Sequence, residues 1–188
     1  MNMFSANTPL RRRCCRALAM ALFFVAASVA ISTNAFARTE LPSRVQVAWA
    51  PPADLAEVRH NPMRYGIMRP EDWMQRLGDY LRVRADRVLP PGQQLQVTID
   101  DITLAGSFEP WHAHARLDDA RFMKDIYPPR LKLHYRLTAA DGSTLREKDV
   151  RLIDMGYLQH TGLPSDTDPL RYDKRQIEDW VRQEFRAR

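Results

Sequence analysis

Residues 131–153 read LKLHYRLTAADGSTLREKDVRLI, and the fold follows from the two periods in that stretch. Leu131, Leu133, Tyr135 and Leu137 alternate with Lys132, His134 and Arg136, which is the period of a strand buried on one face. Asp141-Gly142 supplies a hairpin turn, and the partner strand runs from Leu145 to Ile153.

Working back towards the N-terminus, Leu95, Val97 and Ile99 alternate in the same way, but Ile102 and Leu104 have the opposite parity across Asp100-Asp101. A strand that keeps one face buried needs an extra residue there, so a β-bulge or break is expected at Asp100-Asp101. From Pro70 the period becomes helical, with Trp73, Leu77, Tyr80, Leu81, Ala85 and Val88 on one side and Glu71 and Asp72 in the first turn. A further strand is expected over Arg44 to Trp49, closed by Pro51-Pro52. Working forward, Asp173 reads as the cap of a second amphipathic helix, with Gln176 reaching back, Tyr172 and Ile177 as a staple, and Trp180, Val181 and Phe185 continuing the stripe.

The fold class expected is therefore α+β in two layers: a mostly antiparallel sheet with two amphipathic helices packed on one face. Ala105 to Ile126 would be a long connection without structure of its own. Either it holds a further strand, with Trp111 to Leu117 and Arg121 to Ile126 as candidates, or it is a functional loop; the strand is the favoured reading.

Residues 1–37 read as a cleavable secretory signal. Arg11, Arg12, Arg13 and Arg16 precede an uncharged run from Ala17 to Ile31, and Ala35 and Ala37 flank Phe36 ahead of cleavage after Ala37. The alternative, an uncleaved anchor, would need about 20 apolar residues. Residues 38–188 are then a single domain with a periplasmic address and no stable membrane span.

Removing the leader changes the composition. Both cysteines, Cys14 and Cys15, leave with it, so the processed chain has no disulfide and no thiolate. The net charge falls from +5 to +1, with 24 basic against 23 acidic residues. Nucleic acid is not expected as a partner, because most of the basic excess is discarded and export separates the two.

The chain has no G-x-S-x-G, H-E-x-x-H, G-x-G-x-x-G or P-loop signature. His112 and His114 are the candidate metal pair, since alternate residues of an extended segment point the same way. Against this, Trp111, Ala113, Ala115 and Leu117 form the apolar side of that alternation, leaving the histidines beside Arg116 on the solvent side. His60, Met63 and Met68 match no ligand spacing and read as gap-fillers. Asp100, Asp101, Asp118, Asp119, Asp125 and Asp154 could include an acid-base pair, but their residue type is equally that of turns and caps. Arg82, Arg84 and Arg87 share a helix with Asp79 and Asp86 and read as a solvated face. No cofactor is expected.

Three stretches carry a family resemblance: Ile126-Tyr-Pro-Pro-Arg-Leu131 leading into Leu133-His134-Tyr135, Leu152-Ile-Asp-Met-Gly-Tyr157, and Tyr172-Asp-Lys-Arg175 with Trp180. With the leader and the strand from Val97 to Gly106, they resemble exported bacterial proteins grouped as domain of unknown function 3016. The resemblance implies a periplasmic address and no particular chemistry. It directs attention to Arg130, Asp154, Tyr172 and Lys174, which would form either a binding site or a structural ion pair, a strand-end turn and a helix cap. The expected function is a non-catalytic binding or accessory module of the cell envelope, its partner an envelope protein or ligand. The alternative is a periplasmic hydrolase or metal-binding enzyme using His112, His114 and a nearby carboxylate.

Overall fold

The structure, a computed structural model, describes residues 44–61, 68–109, 120–159 and 167–185. The leader with its cleavage point, Met63, His112, His114, Asp118, Asp119 and the expected strand from Trp111 to Leu117 lie outside the described residues.

Strand β1 (Val45–Trp49) is followed by a single 3₁₀ turn (Pro52–Asp54) and the short helix α1 (Ala56–His60), then by the long helix α2 (Pro70–Val88). Next come β2 (Gln94–Thr103), β3 (Ser107–Phe108), β4 (Arg121–Phe122), the hairpin strands β5 (Arg130–Thr138) and β6 (Thr144–Ile153), and the closing helix α3 (Arg171–Phe185). The main sheet has the order β1-β2-β5-β6, and β3 pairs with β4 in a separate two-stranded ribbon. β2–β5 and β5–β6 are antiparallel, whereas β1 lies parallel to β2, because a parallel neighbour needs a crossover and α1 with α2 supplies it.

The α+β reading holds, with α2 and α3 against one sheet face. Leu95, Val97 and Ile99 from β2 meet Leu131, Leu133 and Tyr135 from β5 in a core closed by Leu77, Leu81 and Ala85 of α2 and by Ile177, Trp180 and Val181 of α3. Truncating one such leucine to alanine typically costs about 2–5 kcal/mol. Tyr135, Trp180 and Phe185 meet edge to face, with ring centroids 5.4–5.8 Å apart. Gly78, a weak helix former, faces β1: a Cβ there would lie 3.4 Å from the Trp49 ring nitrogen and 3.9 Å from Val47, ordinary contact distances.

The register shifts between Ile99 and Asp101, where the change of parity places a bulge. Beyond it Ile102 and Leu104 turn back into the core. The segment after Ala105 contributes β4, which begins at Arg121 as the strand reading requires but ends at Phe122. The capping expectation for Asp173 is corrected. Helix α3 begins at Arg171, so Asp173 belongs to its first turn and its buried carboxylate accepts from the N–H of Ala105, while the Gln176 amide donates to the Pro129 carbonyl. The Asp168 side chain instead accepts from the Leu170 N–H ahead of the helix.

Candidate functional site

The bulge positions the site. It turns the Asp101 carboxylate towards α1, where Oδ1 accepts from the N–H of Ala56 at 2.7 Å, a capping bond supplied from another strand. Helix α1 thereby presents Glu57 inward, and this glutamate is only 5% exposed. Arg121, at the start of β4, closes on it with two prongs: Nη1 to Oε1 at 2.7 Å and Nη2 to Oε2 at 3.1 Å. A buried carboxylate requires such pairing, since an unpaired buried charge is strongly disfavoured.

The same groups bind the backbone where β2 leaves the sheet. Glu57 Oε2 accepts from the Leu104 N–H at 2.9 Å and Asp173 Oδ1 from the Ala105 N–H at 3.0 Å. The Arg121 guanidinium donates to the carbonyls of Leu104, Ala105 and Gly106, at 3.0, 2.6 and 3.1 Å. The Gly106 N–H donates to the Tyr127 carbonyl. Every backbone polar group of Leu104–Gly106 is thus satisfied by one arginine, two acids and one carbonyl from four separate parts of the chain. Burial pushes the Asp173 carboxyl up to about 7, against opposing pulls from the Ala105 N–H and the Arg121 charge. A second buried acid, Glu109, receives Lys124 Nζ at 2.6 and 2.7 Å and the Tyr127 hydroxyl at 2.9 Å.

Above this junction lies a cavity of about 370 Å³. Its apolar wall includes Met68, Trp73, Leu104, Phe108, Met123 and Leu170, and the Glu57–Arg121 pair contributes to a polar side that also includes Asn61, Thr167 and Arg171. A second cleft of about 210 Å³ shares Glu57, Asn61 and Leu104 with it and is bordered by His60, Tyr127 and Arg130. A groove of about 610 Å³ near the far end of α3 is larger, but its charges are spent on one another: Arg146 and Lys148 both reach Glu184, at 2.8 and 3.1 Å. The cavity over Glu57 combines apolar walls with a fixed polar group, the usual composition of a small-molecule site.

The four residues singled out by resemblance do not converge on one site: Arg130 and Asp154 are neighbours along the backbone, whereas Tyr172 and Lys174 lie on α3. Arg130 is exposed at the head of β5. Asp154 makes a turn, its Oδ1 accepting from the Gly156 N–H at 3.1 Å, and its own N–H donates to the Pro129 carbonyl, which brings it beside Arg130 along the backbone. Tyr172 packs edge-on against Tyr157 at 4.9 Å beneath the Arg171 guanidinium. Lys174 pairs with Asp168 at 2.5 Å and lies over the Tyr80 ring. No ion pair joins Arg130, Asp154 and Lys174 among the described residues. His60 borders the smaller cleft and Met68 the cavity. Among the described residues no group of three or more His, Cys, Asp or Glu side chains is arranged to hold a metal ion, and no helix is long and apolar enough to cross a membrane.

Fold and site together define an α+β domain whose cavity rests on a buried arginine–carboxylate junction. The family of proteins of unknown function DUF3016 matches residues 43–183, a span containing every described strand and helix except the last two residues of α3, and the chain belongs to that family. No curated protein and no solved structure matches it.

Proposed function

We propose that this chain is a periplasmic, non-catalytic binding module of the cell envelope, and that its ligand enters the cavity over Glu57 and Arg121. The observation that carries the reading is how the polar atoms of Glu57 and Arg121 are spent. All three nitrogens of the Arg121 guanidinium donate to protein acceptors and both Glu57 oxygens accept from protein donors. A general acid, base or nucleophile must be free to exchange a proton or bond with the substrate. This pair instead fixes the shape and polarity of the wall. The leader pattern in residues 1–37 supports the address.

Cell fractionation of the producing bacterium, with N-terminal sequencing and mass spectrometry of an organic extract of the purified protein, tests the reading. A periplasmic chain starting at Arg38 and carrying a co-purified small molecule is expected. A cytoplasmic chain that retains residues 1–37, or a periplasmic one that turns over a broad panel of ester, amide and phosphoester substrates, overturns it.

A further inference from the structure

The face of the sheet away from the helices carries a charge pattern that the cavity does not use. Along the β5–β6 ladder His134 stands opposite Asp149 and Arg136 opposite Glu147, each pair in contact at 2.9 Å. The ladder then departs from this rule. Lys132 stands opposite Arg151, and the next rung sets Arg130 opposite Ile153. Lys132 reaches Asp101 at 3.6 Å, while Arg130 and Arg151 have no carboxylate partner among the described residues. Like charges directly across a strand pair are destabilising. The two complementary rungs alongside make this repulsion a local feature of one corner.

The same corner holds the three most exposed large apolar side chains of the described residues: Ile126 at 69%, Met155 at 67% and Ile153 at 58%. Ile153 lies in the ladder beside the cations. Met155 follows Asp154, whose N–H is bonded to the carbonyl of Pro129, the neighbour of Arg130. Ile126 borders the same cleft as Arg130.

We propose that this corner docks on an anionic phospholipid surface, with Arg130, Lys132 and Arg151 at the headgroup phosphates and Ile126, Ile153 and Met155 dipping into the acyl boundary. A surface carrying anions alone would satisfy the cations but leave the apolar tips in water. A phospholipid leaflet presents anions and hydrocarbon within a few ångströms of each other, the pairing that interfacial attachment uses. The processed chain's net charge of +1 does not oppose this, because attraction at a surface depends on the cations within a Debye length of it.

The test is flotation of the protein, recovered from cells producing the full chain, with vesicles containing about one quarter phosphatidylglycerol in phosphatidylcholine, and with pure phosphatidylcholine vesicles. Each basic side chain near an anionic surface multiplies partitioning by about fivefold. Arg151→Glu removes one cation, adds a repulsion and places an opposite charge across from Lys132, so it folds at least as well as the parent and binds the anionic vesicles about twentyfold more weakly. Ile153→Ser lowers binding about tenfold through lost apolar burial. Parent binding that needs phosphatidylglycerol and falls in both variants, at unchanged melting temperature, is the expected result. No binding, equal binding to both vesicles, binding indifferent to Arg151→Glu, or capture by soluble polyglutamate without vesicle binding overturns the proposal.

Discussion

The Arg121 guanidinium meets the Glu57 carboxylate at 2.7 and 3.1 Å across a sequence separation of 64 residues, and the two together hold the backbone of Leu104–Gly106. Arg121→Met would leave Glu57 buried without its cation and three carbonyls without a donor. The expected loss is about 3–5 kcal/mol, read by urea unfolding. Arg121→Lys restores the charge but cannot fork to both oxygens while reaching three carbonyls, so it recovers less than half of that loss. A loss under about 1 kcal/mol for Arg121→Met would show that the pair does not organise the junction.

Asp173 makes stability depend on pH. Its carboxyl is raised from 3.8 to about 7 in the folded chain, so the folded state holds this proton more tightly than the unfolded state. The contribution is fully present below about pH 4 and is lost as pH rises through about 7, amounting to about 2–4 kcal/mol across that window. Asp173→Asn keeps an oxygen for the Ala105 N–H and removes the titration. Denaturant unfolding from pH 4 to 8 is expected to show a smaller fall in the variant than in the parent; parallel profiles would contradict this account. His134, raised by Asp149 and Glu147, tilts stability in the same direction, its side chain being only part-buried, and the Asn comparison separates the two.

Gly106 has φ +79°, and a Cβ there would lie 2.7 Å from Met123 Sδ and 2.8 Å from the Phe122 carbonyl. The methionine can move, whereas the carbonyl belongs to the β3–β4 ribbon. Gly106→Ala is expected to cost about 2–3 kcal/mol and lower the melting temperature, while Gly142→Ala, at φ +83° with open space around it, costs about 1 kcal/mol. Equal melting shifts in the two variants would contradict the close approach.

Asp101 Oδ1 accepts from the N–H groups of both Ala56 and Ile102. Asp101→Ala is expected to cost about 1–2 kcal/mol by calorimetry and to raise amide exchange across α1. Exchange unchanged in α1 would show that the bulge does not anchor it.

The hairpin, both long helices and the bulge were legible because burial repeats along them: Leu131 to Leu137 every second residue, Trp73 to Ala85 by turns, and a lost beat at Asp100-Asp101. The junction was not legible. Glu57 and Arg121 are apart in sequence and carry no periodicity, and a charge is buried only where the tertiary fold supplies its counter-charge. Asp173 was visible as a helix-start residue, but the start lies at Arg171, and its real partner, the Ala105 N–H, is 68 positions away. The aspartate's cap-like composition concealed a tertiary bond.

The most direct test of the cavity as a ligand site is a fluorescence titration of the uncharged aromatic probe N-phenyl-1-naphthylamine into the parent and an Ala120→Phe variant, which narrows the cavity beside Arg121. Saturable one-to-one binding by the parent is expected, with energy transfer from Trp73 in the wall, weakened at least about tenfold in the variant at an unchanged melting temperature. Probe binding that is absent in the parent, or equal in the two proteins, would contradict the account.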